Sequence, residues 1–201
     1  MSKVIKRLEL VLCVLFVLFQ MYTAFFGAIS GIAQKSIHLT FVIAILFIGL
    51  YNNDHDKKIL RVLDLALMVV GCIVTVYITS LSKALAIDST THTLAMSVFG
   101  VLLIGILLVA TWRKVGPVLA IVVSFFIFYA FFGKYFPMIF RHGGMKFTRF
   151  IHLICYTSEG IFGSPLNSAA TFICVFIILG ARFAVTGVGD YITELASSVF
   201  G

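Results

Sequence analysis

Charge is what this chain has least of. Only 11% of its 201 residues are Asp, Glu, Lys or Arg, and eight acids stand against fifteen bases. Soluble domains carry about 25% charged residues, and a chain this small exposes too much of its surface to do without them in water. With 61% of the residues apolar and a mean hydropathy of +1.13, hydrocarbon is the solvent the composition fits.

Other scarcities exclude whole classes of function. The bases fall singly or in short groups between apolar runs, not in a stripe interleaved with aromatics, so no nucleic-acid partner is expected. Cys13, Cys72, Cys155 and Cys174 contain no close CxxC pair, and they read as small buried side chains instead of disulfides or metal ligands. There is no HExxH, no GxSxG and no GxxxxGK[ST] phosphate loop. Neither an enzyme nor direct coupling to ATP is expected, and no cofactor.

What is present is a succession of long apolar runs. The first follows Lys3, Lys6 and Arg7 as the apolar core of a signal peptide would, but it is longer than a signal needs, lacks a small-x-small cleavage site and precedes further spans. It reads as a retained first span over residues 10–29, about twenty residues and enough to cross a hydrocarbon core. A second span is expected from Ser36 to Tyr51, with Lys35 snorkelling toward the headgroups and His38 at the interface. A third covers residues 62–81, with Asp64 left at the membrane boundary, and residues 82–92 read as a polar turn or short surface helix. The fourth, 93–112, ends on Trp112, Arg113 and Lys114, an interfacial aromatic with two basic anchors. Gly116 breaks the chain there and Pro117 suits the first turn of the next helix, a Phe-rich fifth span over 118–133.

The remainder is different in kind. Residues 134–149 form a basic, Gly-containing connection, and 147–156 a helix too short to cross a bilayer, expected as an interfacial or arm-like element. Gly160, Gly163 and Pro165 then interrupt an apolar stretch, predicting a backbone break before a sixth span over 168–185. Such breaks are tolerated at membrane depth only where protein or a water-filled cavity covers them. A weak apolar helix follows over 191–200. The fold class is therefore all-α: a polytopic transmembrane protein of about six spans, a short interfacial helix and a Gly/Pro-broken segment. Basic flanks before spans one, three and five place the amino terminus in the cytoplasm, although Lys134, Arg141, Lys146 and Arg149 would then lie outside.

Several stretches together resemble a known family. They are Gln20-Met21-Tyr22-Thr23-Ala24-Phe25-Phe26-Gly27, Ile37-His38-Leu39, the corner Ala110-Thr111-Trp112-Arg113-Lys114-Val115-Gly116, and most specifically Thr157-Ser158-Glu159-Gly160-Ile161-Phe162-Gly163-Ser164-Pro165-Leu166-Asn167-Ser168-Ala169-Ala170-Thr171-Phe172. From about Leu8 onward the chain resembles the fused membrane subunit of the tripartite ATP-independent periplasmic (TRAP) transporters, in which four small-subunit helices are joined to the large subunit. The resemblance implies secondary transport of an organic anion such as a carboxylate, driven by an ion gradient that is commonly sodium, with an extracytoplasmic solute-binding protein delivering the solute across a bacterial or archaeal cytoplasmic membrane.

By the same resemblance, residues 1–114 match the small scaffold subunit and 115–201 the start of the large transport subunit. The family's large subunit continues far beyond the point matching Gly201, so an amino-terminal portion is implied, with the remaining helices as its partner. The alternatives are a small non-transporting membrane scaffold or assembly subunit, or a non-functional truncated gene product.

The candidate transport residues cluster at the expected break. Glu159 is a carboxylate beside the bilayer, suited to pairing or gating if buried and of no consequence if it faces water. Ser164, Asn167, Ser168 and Thr171 offer oxygens around a helix start, where broken-helix transporters hold sodium; sodium near Ser164 and Asn167 is one reading and ordinary helix capping the other. His38 and His92 read as interfacial, His55 and His142 as loop residues, and Arg182 as a snorkelling base that could attract an anion.

Overall fold

The computed structural model describes residues 3–27, 29, 31–53, 58–87 and 93–200. His55, His92 and most of the polar stretches around them lie outside the described residues. Helices dominate: α1 Lys3–Phe26, α2 Gly31–Asn53, α3 Lys58–Ile87, α4 Leu94–Lys114, α5 Pro117–Phe132, α6 Phe147–Tyr156, α7 Ser164–Ser168, α8 Cys174–Thr186 and α9 Val188–Phe200, with a π turn, Ala169–Ile173, joining α7 to α8. Among the described residues there is no strand. Among the described residues, six stretches are long and apolar enough to cross a bilayer: Ile5–Phe26, Gly31–Asn52, Lys58–Leu85, Leu94–Lys114, Pro117–Tyr135 and Ser164–Thr186. The protein is an all-α, multi-pass membrane protein, as the composition requires, because helices satisfy their own amides where no water can.

Its surface and interior are sorted for lipid. Large apolar side chains such as Phe25, Phe26, Ile59 and Phe176 point outward, while Gln20, Gln34, Lys35, Ser36, His38, Asp64 and Thr75 are buried. The centre of the bundle is the α2–α3 pair. Ile43, Phe47, Val74 and Ile78 meet Leu103 and Ile106 of α4 in one apolar core. α6 then packs on α4, burying Phe150, Ile151, His152, Cys155 and Tyr156. The Tyr156 hydroxyl donates to the Met96 carbonyl at 2.8 Å and the Cys155 thiol to that of Gly100 at 3.5 Å. The short helix expected over these residues is present, held inward by those contacts.

Helix ends follow the sequence where a cap or proline marks them. The Thr93 hydroxyl accepts the Met96 amide at 3.2 Å to start α4. Gly116, at φ +128°, occupies a backbone region closed to residues with a Cβ, and Pro117 opens α5 from it. Where the sequence offered only polarity, boundaries move. α3 runs through Ser82, which is buried and donates to the Thr79 carbonyl at 2.7 Å, so the polar turn expected from residue 82 begins no earlier than the end of α3. α2 begins at Gly31, not near Ser36, which puts Lys35 inside the helix. The last span begins at Ser164 because Pro165 sits in its first turn.

Candidate functional site

The break before the last span is built around two glycines. After α6 the chain turns through residues 157–163, closed by Ile161 N–H to the Ile154 carbonyl at 2.8 Å and Gly163 N–H to that of Gly160 at 2.9 Å. A Cβ on Gly160 would run into the Ile154 backbone, and one on Gly163 would sit 2.8 Å from the Gly160 oxygen. Only glycine allows the chain to fold back this tightly. The turn buries Phe162 completely and presents its carbonyl to α2.

Lys35 receives that carbonyl. Its ammonium donates to the Phe162 oxygen at 2.6 Å, and the residue is 6% exposed. Snorkelling was expected of it; instead the early start of α2 turns it inward, where a backbone oxygen takes the place of headgroup water. Among the described residues no carboxylate accompanies the charge.

The second feature is the π turn. Its closing bond runs from Cys174 N–H to the Ala169 carbonyl, one residue longer than an α-helical bond, the widening that often marks functional sites. The Ala170 carbonyl accepts two side-chain amides, Gln20 Nε2 of α1 at 3.3 Å and Gln34 Nε2 of α2 at 3.2 Å. Gln20 Nε2 also lies 3.2 Å from His38 Nδ1, and the Phe16 ring meets the His38 ring at 5.1 Å. His38 is thus buried in this layer, not exposed at the interface. Deeper in the bundle Ser36 Oγ donates to the Thr75 carbonyl at 2.7 Å and Thr40 Oγ1 to Thr75 Oγ1 at 2.8 Å. Gln20 Oε1 and Gln34 Oε1, both buried, have no hydrogen-bond partner.

Beside this layer α1, α2, the π turn and α8 line an open-sided cavity of about 310 Å³, formed by Thr23, Ala24, Gln34, Thr171, Phe172, Val175 and Phe176. Of the residues singled out in the sequence, Thr171 lines it. The others of that group lie elsewhere. Glu159 is exposed, and its amide donates to Thr157 Oγ1 at 3.2 Å. Ser164 and Asn167 are exposed on α7 and Ser168 is half-buried. The cap position of α7 is Gly163, and no side chain caps it. Arg182 is exposed on α8, and His142 is half-buried against the Tyr129 carbonyl at 3.1 Å.

Gln20, Thr23, Gln34 and Lys35 were not singled out as site residues. Their signal was there: two amides and a base inside or beside apolar runs are costly unless partnered, and Gln34 and His38 share a helix face at i, i+4.

At the opposite end of the bundle the polar groups pair up. Asn52 Nδ2 donates to Glu9 Oε2 at 2.7 Å, and Arg61 Nη2 to the Tyr51 hydroxyl at 2.8 Å. Asp64, expected at the interface, is fully buried and forms an ion pair with Arg113 from the last turn of α4. The cause is the crossing of α3 and α4, which brings the guanidinium over the carboxylate.

No family model, curated protein or solved structure matches the chain.

Proposed function

We propose that the protein is a membrane component of an ion-coupled secondary transporter that imports an organic anion, such as a carboxylate, delivered by an extracytoplasmic binding protein. The observation that carries this reading is the buried Lys35 ammonium, held on the backbone of a broken helical segment with no carboxylate beside it among the described residues. An ammonium taken out of water without a counter-charge is costly, and an anion entering beside it relieves that cost. Ionisable groups inside membrane proteins mark solute and ion paths, and discontinuous helices with exposed carbonyls are how such transporters build their sites. The likeness of residues 157–172 to the TRAP membrane subunit points the same way.

In this reading further helices complete the solute path. α8 buries no side chain and α5 only Ala120, so both have faces open to them. The amino terminus faces the cytoplasm. Deleting the coding sequence in its native cell is expected to abolish gradient-driven accumulation of one labelled carboxylate, with uptake restored by the wild-type gene and not by Lys35→Met expressed at the same level. Undiminished uptake of every carboxylate tried in the deletion strain would leave the scaffold role instead.

A further inference from the structure

An open-sided groove of about 510 Å³ runs between α4, α5 and α6. α4 lines it from Ile104 to Thr111 and α5 from Val123 to Ala130, about two turns of each, so it extends about 10 Å along the helices. Its wall is apolar except for Thr111, whose hydroxyl gives its one hydrogen to the Leu107 carbonyl at 2.7 Å. A polar solute would find no free donor there. Nor does a helix fit inside: with side chains it is about 10–12 Å across, and two turns of such a cylinder fill roughly 850–1,200 Å³. A single hydrocarbon chain does fit, since one leaflet contributes about 15 Å to a hydrocarbon core of about 30 Å.

Charge at one end of the groove identifies the rest of the occupant. On α6 the groove is lined by Phe150, Leu153 and Ile154, and Met145 lines it just before the helix. Arg149 stands one turn before Leu153 on the same stripe, and the Lys146 carbonyl accepts the Phe150 amide at 2.9 Å. On α5 the stripe through Ile127 and Ala130 reaches Lys134 one turn on. Both stripes meet at this end, because the Met145 N–H donates to the Ala130 carbonyl at 3.0 Å. Lys134, Lys146 and Arg149 are all exposed, with the Lys134 ammonium 5.3 Å from the Tyr135 ring centre. From residue 89 to residue 158 the sequence holds six Lys and Arg and no Asp or Glu, and among the described residues no ion pair engages these three bases.

We infer that the groove holds an acyl chain of an anionic glycerophospholipid whose phosphodiester rests on Lys146 and Arg149, with Lys134 at its edge. Basic pockets beside membrane helices attract anionic headgroups, and a guanidinium presents a planar fork to phosphate. Tyr135, exposed beside Lys134, sets this end at headgroup depth, where interfacial aromatics collect. The bases thus meet the phosphate while the stripe below them meets the chain. The site holds whichever side of the membrane this end faces and is independent of the transport reading.

The test is thermal unfolding of the delipidated full-length protein in mixed micelles, titrated with phosphatidylglycerol or phosphatidylcholine of the same acyl chains. Phosphatidylglycerol is expected to raise the melting temperature saturably and at a lower mole fraction than phosphatidylcholine. Each base near an anionic lipid surface is worth about fivefold in binding, so Lys146→Gln with Arg149→Gln should raise the half-saturating fraction of phosphatidylglycerol roughly twenty-five-fold and leave that of phosphatidylcholine in place. Both positions are exposed, so this variant keeps the fold. Ala130→Phe, which fills the groove, should weaken both lipids. Equal half-saturating fractions for the two lipids in the wild type, or a preference unchanged in the double variant, would overturn the assignment. So would a dimer of the delipidated protein, read by light scattering, that Ala130→Phe dissociates, since a second copy would then occupy the groove.

Discussion

The Lys35 ammonium and the Phe162 carbonyl, 127 residues apart in the chain, meet at 2.6 Å inside the bundle. This bond ties the start of α2 to the turn between α6 and α7, so the geometry of the broken segment depends on a residue of the second span. Replacing Lys35 by Met keeps most of the side-chain volume and removes the donor. A hydrogen bond to a charged group contributes about 1.5–3 kcal/mol, and its loss should appear first as opening of the turn. Amide exchange at Ile161 and Gly163, whose N–H groups close that turn, is expected to accelerate. The global melting temperature should move less, because Met escapes the desolvation cost of a buried ammonium. Exchange at these two amides identical to wild type would show that the bond does not hold the turn.

Asp64 and Arg113 make the opposite kind of contact, a charge pair within the bundle. Asp64→Ala leaves the guanidinium without its carboxylate, and breaking a buried pair from one side costs about 3–5 kcal/mol. Replacing both partners by apolar residues, as in Asp64→Leu with Arg113→Met, should recover most of that loss, since apolar replacements of buried pairs are often neutral. Detergent-solubilised protein should therefore melt lowest as the single variant and near wild type as the double. A double variant that melts lower than Asp64→Ala would show that the pair contributes more than mutual neutralisation.

These two pairs also mark where the sequence stopped being readable. The spans are legible because a hydrophobic run of membrane length has one stable conformation in lipid, and the turn at Gly160 and Gly163 is legible because glycine and proline punctuate it. Lys35 and Asp64 were misplaced at the interface because a charge taken residue by residue is costed against lipid or water, whereas its actual partner is 127 residues away in one case and 49 in the other. Gln20 escaped notice because it is uncharged and sits within an otherwise apolar run. The π turn leaves no signature in Ala169-Ala170-Thr171-Phe172-Ile173 at all; it becomes visible only in the backbone, in the bond from Cys174 N–H to the Ala169 carbonyl. Thr171 was found by its nearness to the break, not by any knowledge of the cavity it lines.

Cys155, on α6 and outside the six candidate spans, offers a test of how tightly that short helix is packed. Its side chain is fully buried against α4, and burial pushes its thiol up to about 12 from an ordinary 9.0. The folded thiol therefore keeps its proton when the unfolded one loses it. Its contribution to stability is complete below pH 9 and is lost as pH rises through about 12. At pH 8 a maleimide should leave Cys155 unmodified in the folded protein and modify it after denaturation, as read by peptide mass spectrometry. Modification of Cys155 in the folded protein as fast as that of the half-buried Cys13 would mean that α6 separates from α4.

The same contact can be probed from the other side with two glycines of α4 that differ only in what they face. A Cβ on Gly100 would overlap the Ile151 side chain of α6 and lie 3.5 Å from the Cys155 sulfur and the Tyr156 ring, whereas one on Gly105 would meet nothing within 4 Å. Overpacking a close contact costs about 1–3 kcal/mol, while alanine is favoured over glycine within a helix by about 0.8–1.0 kcal/mol. Gly100→Ala should therefore lower the melting temperature and expose Cys155 to the maleimide, because α6 must move outward to admit the methyl group. Gly105→Ala should leave labelling unchanged and hold or raise the melting temperature. Equal behaviour of the two variants would mean that α4 and α6 are not in contact at Gly100, and with that the inward position of the Tyr156 hydroxyl on Met96 would have to be abandoned.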